Sequence, residues 1–406
     1  MGKYTALDNP AIDRLIDDHL AQIVSAITGQ TSPQSIILYG SPARGEASAM
    51  VVGDQVQLLS DYEIKVVGES SRLRRLCASL SREMTVRLGV STGIGWLHPR
   101  RLQTNQVGNF RLSPARPSIF MYELKAGGRT IYGEDLLGSS PSIRPKEIPL
   151  ASGIALILNR MAESLEYLPC SAAAPDSTRL DRMIWCNKTI LACAEALLLS
   201  AGSYHYSYQE RGRRFAAMAH DRFAPLLAGV PALPDLVRRA TEFKLRPNPD
   251  LYPDDLADIW VEVAAIADVV FRRMIEQQYA RSFGSYTEFP ALYLSLTRAW
   301  QGSQMDRWRQ LVSLFGRKLV EGVKYLEQKR GLPSVFLSLH CSSHVVYALV
   351  PVLYLSCFSH ERAVMLGAIR QGLGLLGPLA PPSPDPHIEW NYLRRLLDWN
   401  WRVFCY

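Results

Sequence analysis

The chain has 406 residues, with 45 Lys and Arg against 38 Asp and Glu, which gives a formal net charge of +7. That length is too large for one ordinary domain and suits two. Because 48% of the residues are hydrophobic and only 20% are charged, the composition is globular and excludes a chain that is disordered throughout. The modest positive charge is compatible with phosphate-rich partners but does not by itself indicate nucleic acid.

The cysteines are odd in number, widely spaced and without a C-x-x-C pair. They are Cys77, Cys170, Cys186, Cys193, Cys341, Cys357 and Cys405. This spacing predicts free thiols in a reducing compartment, and neither a disulfide framework nor a zinc site. The first twenty residues carry acidic side chains where a secretory signal would have its apolar core. A cytoplasmic location is therefore expected.

Helix and strand patterns alternate over residues 1–149. In chain order they predict a helix at 10–28, strands at 35–39 and 56–67, a helix at 70–88, and strands at 89–97 and 118–125. The last strand is predicted to turn at Gly127-Gly128 into residues 129–132 as a hairpin. This alternation favours a mixed-sheet domain over residues 1–149.

From residue 150 onward the pattern is helical almost throughout. The predicted helical blocks are 154–168, 180–200, 256–280, 289–300, 305–328 and 388–404. An uncharged stretch at 332–360 has an apolar core, 345–358, that is shorter than the roughly 20 residues needed to cross a bilayer. It predicts a buried helix pair and no membrane segment. The fold class is therefore expected to be α+β, with an all-α domain over 150–406 that could divide near residue 300.

Two short segments of the first domain carry the candidate chemistry. Gly40 and Ser41 follow a buried strand, and such a turn offers backbone N–H groups and a hydroxyl to phosphate oxygens. Asp61 and Glu63 are two residues apart on a predicted strand, so both side chains point to one face, about 7 Å apart at the backbone. Tyr62 then points to the core. Two carboxylates aimed together repel each other, and a divalent cation would relieve that repulsion.

A third acid, Glu123, interrupts the apolar strand predicted at 118–125. If that strand lies beside the Asp61 strand, Glu123 completes a cluster of three carboxylates. Such a cluster can hold two Mg²⁺ ions, one orienting a triphosphate and one lowering the pKa of an attacking hydroxyl. Glu134 and Asp135 lie close by and remain alternatives for the third acid.

The order of strand, Gly-Ser, spacer, Asp-x-Glu strand and later acid resembles the nucleotidyltransferase superfamily of DNA polymerase beta and the aminoglycoside nucleotidyltransferases. The resemblance covers residues 35–135. It implies that Gly40 and Ser41 hold phosphates, that Asp61 and Glu63 bind metal, and that Glu123 is the third acid. The spacer between Ser41 and Asp61 is longer than usual for the family, which predicts an extra hairpin with a turn at 53–54. That insertion leaves the role of Arg44, a further nucleotide-binding candidate, open.

The helical half supplies further candidates. Lys188 interrupts an apolar helical stripe, so it is either a lysine that reaches water at a domain edge or one that neutralises a triphosphate across the cleft. Tyr204, Tyr208 and Arg211 could stack a base and grip phosphate, with ordinary loop packing as the alternative. Lys244 is a weaker candidate of the same kind.

The resemblance implies transfer of a nucleoside monophosphate from an NTP to an acceptor hydroxyl or phosphate, with release of pyrophosphate. Two Mg²⁺ ions are expected, with Mn²⁺ as a possible substitute. The modest charge favours a small-molecule acceptor, such as a sugar, an aminoglycoside or a metabolite, over nucleic acid. A tRNA or nucleic-acid nucleotidyltransferase and a degenerate nucleotide-binding regulator are the alternatives.

Overall fold

The computed structural model describes residues 2–53, 55–70, 72–104, 117–171, 178–298 and 341–405. Within these ranges the protein is α+β, with a small mixed sheet in the N-terminal part and helices in most of the remainder. This confirms the expected fold class. The helix predicted at 305–328 lies outside the described residues.

The N-terminal part contains the sheet and its covering helices. Its elements are α1 (Pro10–Thr28), β1 (Ser35–Tyr39), β2 (Ala49–Val52), β3 (Gln55–Leu58), β4 (Tyr62–Val67), α2 (Arg72–Leu88), β5 (Thr92–Leu97), α3 (Pro99–Thr104), α4 (Ile119–Gly127) and β6 (Arg129–Gly133). The sheet order is β5-β4-β1-β6. Strands β4 and β5 are parallel, whereas β1 pairs antiparallel with both β4 and β6.

Alternation along β4 sets the orientation of the site. Tyr62 and Ile64 are buried in a core that the sheet shares with α1 and α2. Because successive strand residues point to opposite faces, Glu63 is left on the other face. The predicted division of this strand into a core side and a carboxylate side is confirmed.

The helical part is built around α6. Its elements are α5 (Leu150–Ser164), α6 (Arg179–Ser200), α7 (Tyr208–Ala219), α8 (Ala224–Leu227), α9 (Leu233–Leu245), α10 (Ala257–Tyr279), α11 (Phe289–Arg298), α12 (Ser342–Ser356), α13 (Arg362–Gly374) and α14 (Pro386–Phe404). In the described part of the chain, α6 is the one helix long and apolar enough to cross a membrane, and 78% of its most apolar window is buried inside the protein. The large core that contains α6 extends to α12 and α14.

The apolar stretch predicted as buried does lie in the core where it is described. Residues 342–356 form the single helix α12, and Val346, Val350 and Leu353 are among its fully buried side chains. Pro351 lies inside this helix. Residues 332–340, which belong to the same prediction, lie outside the described ranges.

The strand predicted at 118–125 is wrong, because this segment forms helix α4. The Ser118 hydroxyl accepts a hydrogen bond from the backbone N–H of Met121 and so caps the helix. A short continuous apolar run does not distinguish a buried strand from a buried helix by its period. The glycines at 127–128 consequently join α4 to β6, and the predicted hairpin there is also wrong. Strand β6 pairs with β1 instead.

The extra hairpin in the long spacer is confirmed. Strands β2 and β3 pair antiparallel, with Val52 opposite Gln55. Gly53 has a φ of +61°, a left-handed conformation that glycine adopts without steric cost. The insertion therefore folds as a separate two-stranded unit before the chain enters β4.

The expectation that every cysteine is a free thiol is wrong for one pair. Cys170 and Cys357 form a disulfide across 187 residues of sequence. Cys170 comes shortly after α5 and Cys357 directly follows α12, and these two helices pack against each other. Sequence spacing did not indicate this pair because tertiary packing alone brings its members together.

Candidate functional site

The glycine of the Gly-Ser pair allows the chain to pass directly over an acidic side chain. Gly40 has a φ of +74°, and a Cβ atom at this position would lie 2.1 Å from Oε2 of Glu63. Tyr39 pairs with Glu63 in the sheet, so the end of β1 lies beside the start of β4. Only glycine fits both the backbone conformation and the contact. Ser41 is thereby held next to the two carboxylates.

Asp61 and Glu63 form the acidic pair predicted from the sequence. Asp61 is exposed just before β4, and Glu63 is half-buried on the strand. Burial, reinforced by the charges of Asp61 and Glu123, raises the pKa of Glu63 to about 7. The pair therefore carries an electrostatic cost that a divalent cation would relieve.

A cluster of hydroxyl groups joins the Gly-Ser turn to the helical part. The Ser41 hydroxyl donates to Ser60 Oγ at 3.1 Å, and Ser60 Oγ accepts from the backbone N–H of Ser48 at 2.8 Å. Lys244 Nζ, from α9, donates to Ser60 Oγ at 3.0 Å and to Ser41 Oγ at 3.3 Å. The Ser48 hydroxyl donates to the Lys244 carbonyl at 2.6 Å, which fixes the backbone of that lysine.

The cleft is the space between the Asp61–Glu63 pair and helices α6 and α9. Two lysines, one from each of these helices, bring positive charge to it. Burial, and then the charge of Lys188, lower the pKa of Lys244 to about 7. Burial and the neighbouring Arg160 lower the pKa of Lys188, while Asp61 acts in the opposite direction. Neither lysine forms an ion pair with a carboxylate among the described residues. Lys244, the weaker candidate from sequence, thus contacts the Gly-Ser turn directly.

A cavity of about 490 Å³ opens beside Asp61 between the two parts of the chain. Lys188 and Arg160 line its helical side, and Arg160 forms an ion pair with Glu163. Tyr167 and Trp185 also line it, with their rings stacked at 5.5 Å between centroids. The space is of the size that small-molecule sites occupy.

Glu123 lies in a separate network of charges. Its carboxylate accepts hydrogen bonds from Tyr204, from Arg211 at 3.0 Å and from Arg44 at 3.3 Å. Burial alone would raise its pKa, but the charges of Arg211 and Arg44 outweigh burial and lower the pKa. Arg211 also forms an ion pair with the buried Glu195.

This network changes the predicted role of Glu123 as a third metal ligand. Glu123 stands on a helix and its carboxylate is engaged by Arg44 and Arg211, although its charge still contributes to the raised pKa of Glu63. Among the described residues, no group of three or more His, Cys, Asp or Glu side chains is arranged to hold a metal ion. The alternatives Glu134 and Asp135 belong to no such group either.

The predicted nucleotide contacts of Tyr204 and Arg211 are inconsistent with their burial. Tyr204 is fully buried and Arg211 is 4% exposed. The Arg211 guanidinium lies 4.9 Å from the Tyr204 ring centroid and 4.1 Å from that of Tyr208. Tyr208 is half-buried and also has Arg44 and Lys244 near its ring. Tyr204 and Arg211 therefore hold the site together, with no face left to stack a base.

Glu46, which the sequence left without a role, caps a helix of the other part. Its carboxylate accepts hydrogen bonds from the Ser207 hydroxyl at 2.7 Å and from the backbone N–H groups of Tyr208 and Gln209 at 2.9 and 3.1 Å. A carboxylate is favourable at the positive N-terminal end of a helix. Arg44 lies 3.5 Å from Glu46 and also pairs with Glu123, so both residues belong to the junction between the sheet and the helices.

No family model, no curated protein and no solved structure matches this chain.

Proposed function

We propose that the protein is a Mg²⁺-dependent nucleotidyltransferase that transfers a nucleoside monophosphate from an NTP to a small-molecule acceptor and releases pyrophosphate. The observation that carries this proposal is the meeting of three features in one cleft. These are the Gly40-Ser41 turn, the Asp61–Glu63 pair and the Lys244 ammonium on the Ser41 hydroxyl. Their order along the chain is also the basis of the resemblance to the superfamily.

The donor set fits one Mg²⁺ ion. Asp61 and Glu63 offer carboxylate oxygens, which Mg²⁺ and Mn²⁺ prefer, and Mg²⁺ sites commonly use one or two carboxylates together with substrate phosphates. Burial and the charges of Asp61 and Glu123 raise the pKa of Glu63, so a bound cation would stabilise its ionised form. When bound, the ion would offset negative charge on the reacting phosphates. A second ion held through Glu123 is not part of the proposal.

The residues around the pair would position the triphosphate. The Ser41 hydroxyl and the backbone N–H groups that follow Gly40 would donate to phosphate oxygens. Lys244 and Lys188 would neutralise charge from the helical side of the cleft, where desolvation strengthens electrostatic interactions. This fits the observation that neither lysine has a carboxylate partner among the described residues. Glu123 would act through Arg44 and Arg211, as a positioning residue.

The cavity beside Asp61 supports a small acceptor. Its volume of about 490 Å³ and its aromatic wall of Tyr167 and Trp185 suit a compact molecule with one apolar face. A regulator that binds NTP without transferring it is the second candidate. It is favoured by one observation, namely that Glu123 does not stand with the other two acids.

The test is an NTP-dependent pyrophosphate assay with Mg²⁺ and a panel of small hydroxylated acceptors. We expect Asp61→Asn to lower the rate by at least about 100-fold, the scale on which removing one transition-state electrostatic contact acts. Because Asp61 is exposed, the melting temperature of this variant should stay unchanged. Asp235→Asn is the matched control, since that carboxylate is exposed on α9 and, within the described residues, pairs only with Arg238.

Two outcomes would count against catalysis at this site. Full activity in Asp61→Asn would contradict the proposal that Asp61 and Glu63 bind the catalytic metal ion. Mg²⁺-dependent NTP binding without pyrophosphate release, across all four NTPs and the acceptor panel, would favour the regulator. Measuring NTP binding by calorimetry beside the turnover assay separates these two results.

A further inference from the structure

A group of arginines lies at the C-terminal ends of strands β4 and β5, and Asp61 lies at the other end of β4. Helices α2 and α3 follow these two parallel strands, whose last residues pair with each other, so both helices start from the same end of the sheet. The arginine patch consists of Arg72, Arg74 and Arg75 on α2 with Arg100 and Arg101 on α3. All are exposed except Arg101, which is half-buried. Glu69 is the one acid in the described residues 68–75 and 96–104.

The three α2 arginines concentrate positive charge in the first turn of one helix. Arg72, Arg74 and Arg75 form no ion pair with any carboxylate in the part of the chain that the structure describes. Exposed arginines such as Arg14, Arg82 and Arg222 also lack an ion pair among the described residues, whereas others pair with an acid three or four positions away. Examples are Arg87 with Glu83, Arg213 with Glu210, Arg238 with Asp235 and Arg273 with Glu276. What distinguishes Arg72, Arg74 and Arg75 is therefore their clustering in one helical turn, and not the lack of an ion pair alone.

Their position also gives no benefit to the helix. Arg72, Arg74 and Arg75 occupy the first turn of α2, where the helix dipole favours negative charge. Three cations there oppose the dipole and repel one another. Folding therefore gains little from them, whereas an anionic partner would be attracted by both the side chains and the helix end.

The surroundings indicate which polyanion would fit. None of the large hydrophobic side chains exposed in the described residues lies at 68–75 or 96–104, so the patch lacks the apolar group needed to enter a membrane. The half-buried Trp96 is fixed by a hydrogen bond from its indole to the Gly68 carbonyl at 2.8 Å, and His98 packs edge-on against it. Aromatic rings beside arginines are the elements that contact unstacked bases and their phosphates.

We propose that the arginine patch binds single-stranded RNA through its phosphates. Helix α3 has six residues and is too short to act as a recognition helix in the major groove of a duplex. Strand β4 has six residues, so the patch lies roughly 20 Å from Asp61. It is a surface separate from the cleft, and the proposal does not depend on nucleotidyl transfer.

The experiment measures fluorescence anisotropy of a labelled single-stranded RNA of mixed sequence, about 20 nucleotides long, from about 50 to 200 mM KCl. The test variant is R72Q/R74Q/R75Q in the full chain. The control, R213Q/R238Q/R273Q, removes the same charge from exposed arginines that already have acidic partners. We expect the test variant to bind at least about 10-fold more weakly at low salt, with the salt slope reduced by about 2 for three lost phosphate contacts.

The control variant should keep the affinity and the slope of the unmodified chain. Equal weakening in both variants would overturn the proposal, since net charge and not the patch would then govern binding. It would also be overturned by tighter binding of DNA of the same sequence, or by binding of the chain to phosphatidylglycerol vesicles without RNA binding. NTP-dependent pyrophosphate release should be unchanged in R72Q/R74Q/R75Q, which keeps this test apart from that of the proposed enzyme.

Discussion

The cleft at Asp61 and the network at Glu123 contain the same kinds of side chain in opposite electrostatic states. In the network, Glu123 and Glu195 share the buried Arg211, and Tyr204 donates to Glu123. In the cleft, Asp61 and Glu63 repel each other, while Lys188 and Lys244 lack carboxylate partners among the described residues. The two regions meet at Arg44, which pairs with Glu123 and lies close to the hydroxyl cluster.

The difference distinguishes the paired charges around Glu123, which stabilise the fold, from the charges of the cleft, which a bound ligand could neutralise. A buried ion pair whose hydrogen bonds are satisfied supports one geometry, whereas removing one partner leaves a buried charge uncompensated. Unpaired charges of both signs in one cleft cost free energy in the empty protein, and that cost is recovered when a ligand of matching charge binds. This comparison is the reason why we propose Glu123 as a positioning residue, although the sequence groups it with the other two acids.

The largest expected effect is loss of stability when the network is opened. Arg211→Ala leaves the carboxylates of Glu123 and Glu195 without their shared cation, so we expect the free energy of unfolding to fall by about 3–5 kcal/mol. The measurement is urea unfolding followed by circular dichroism. Arg213→Ala, on the same helix, removes an exposed ion pair and should leave the free energy of unfolding nearly unchanged.

A second outcome of that experiment bears on the comparison itself. If Arg211→Ala were as stable as Arg213→Ala, the network would not be a structural element, and Arg211 would belong with the unpaired charges of the cleft. The free energy of unfolding of Arg211→Lys is the complementary measurement. A lysine keeps the charge but cannot reach both acids with a planar fork, so folding should be restored in part.

The next effect is a dependence of stability on pH with a minimum near pH 7. The pKa of Glu63 is raised from 4.5 to about 7 in the folded protein. Between pH 4.5 and pH 7 the folded protein therefore keeps a proton that the unfolded chain has lost. The free energy of unfolding consequently falls as the pH rises through this range. Lys244 has a pKa lowered from 10.5 to about 7, so the unfolded chain binds the extra proton between pH 7 and 10.5, and the free energy of unfolding rises with pH there. Each group contributes at most about 1.4 kcal/mol per pH unit.

Variants assign each side of that minimum to one residue. Glu63→Gln should flatten the profile below pH 7, and Lys244→Met should flatten it above pH 7, as measured by chemical unfolding between pH 5 and about 9. Lys146→Met is a control, because that lysine is exposed. A monotonic profile in the unmodified chain, or the same profile in all variants, would show that the cleft does not carry these unpaired charges.

The elements predicted correctly from sequence are those whose signal is local. The alternation of Tyr62 and Ile64 with Glu63 indicates the two faces of β4, and the glycine of the Gly-Ser pair indicates a tight turn. The segment of α4 carries no such signal, because Phe120, Met121 and Tyr122 form an uninterrupted apolar run that fits a helix or a strand. Its Ser118 cap was the one feature that favoured a helix.

The remaining site features depend on contacts between distant parts of the chain. Lys244 is 203 residues from Ser41, and Glu46 is 161 residues from Ser207. Sequence spacing carries no information on such pairs, so it indicates neither the contact of Lys244 with Ser41 nor the burial of Arg211. In both cases the decisive fact is which charges find partners, and that follows only from tertiary packing.

The smallest expected effect tests how closely the Gly-Ser turn depends on the acidic pair. Gly53→Ala places a side chain at φ +61° with no neighbouring atom within 4 Å, so its cost of about 1 kcal/mol measures backbone strain alone. Gly40→Ala adds a contact with Glu63 at φ +74° and should cost about 1 kcal/mol more, because the carboxylate must move. In a Glu63→Ala background that excess should vanish, while the cost of Gly53→Ala stays the same. If the excess persisted without the Glu63 side chain, strain within the turn would explain it, and the turn and the carboxylate would not form one unit.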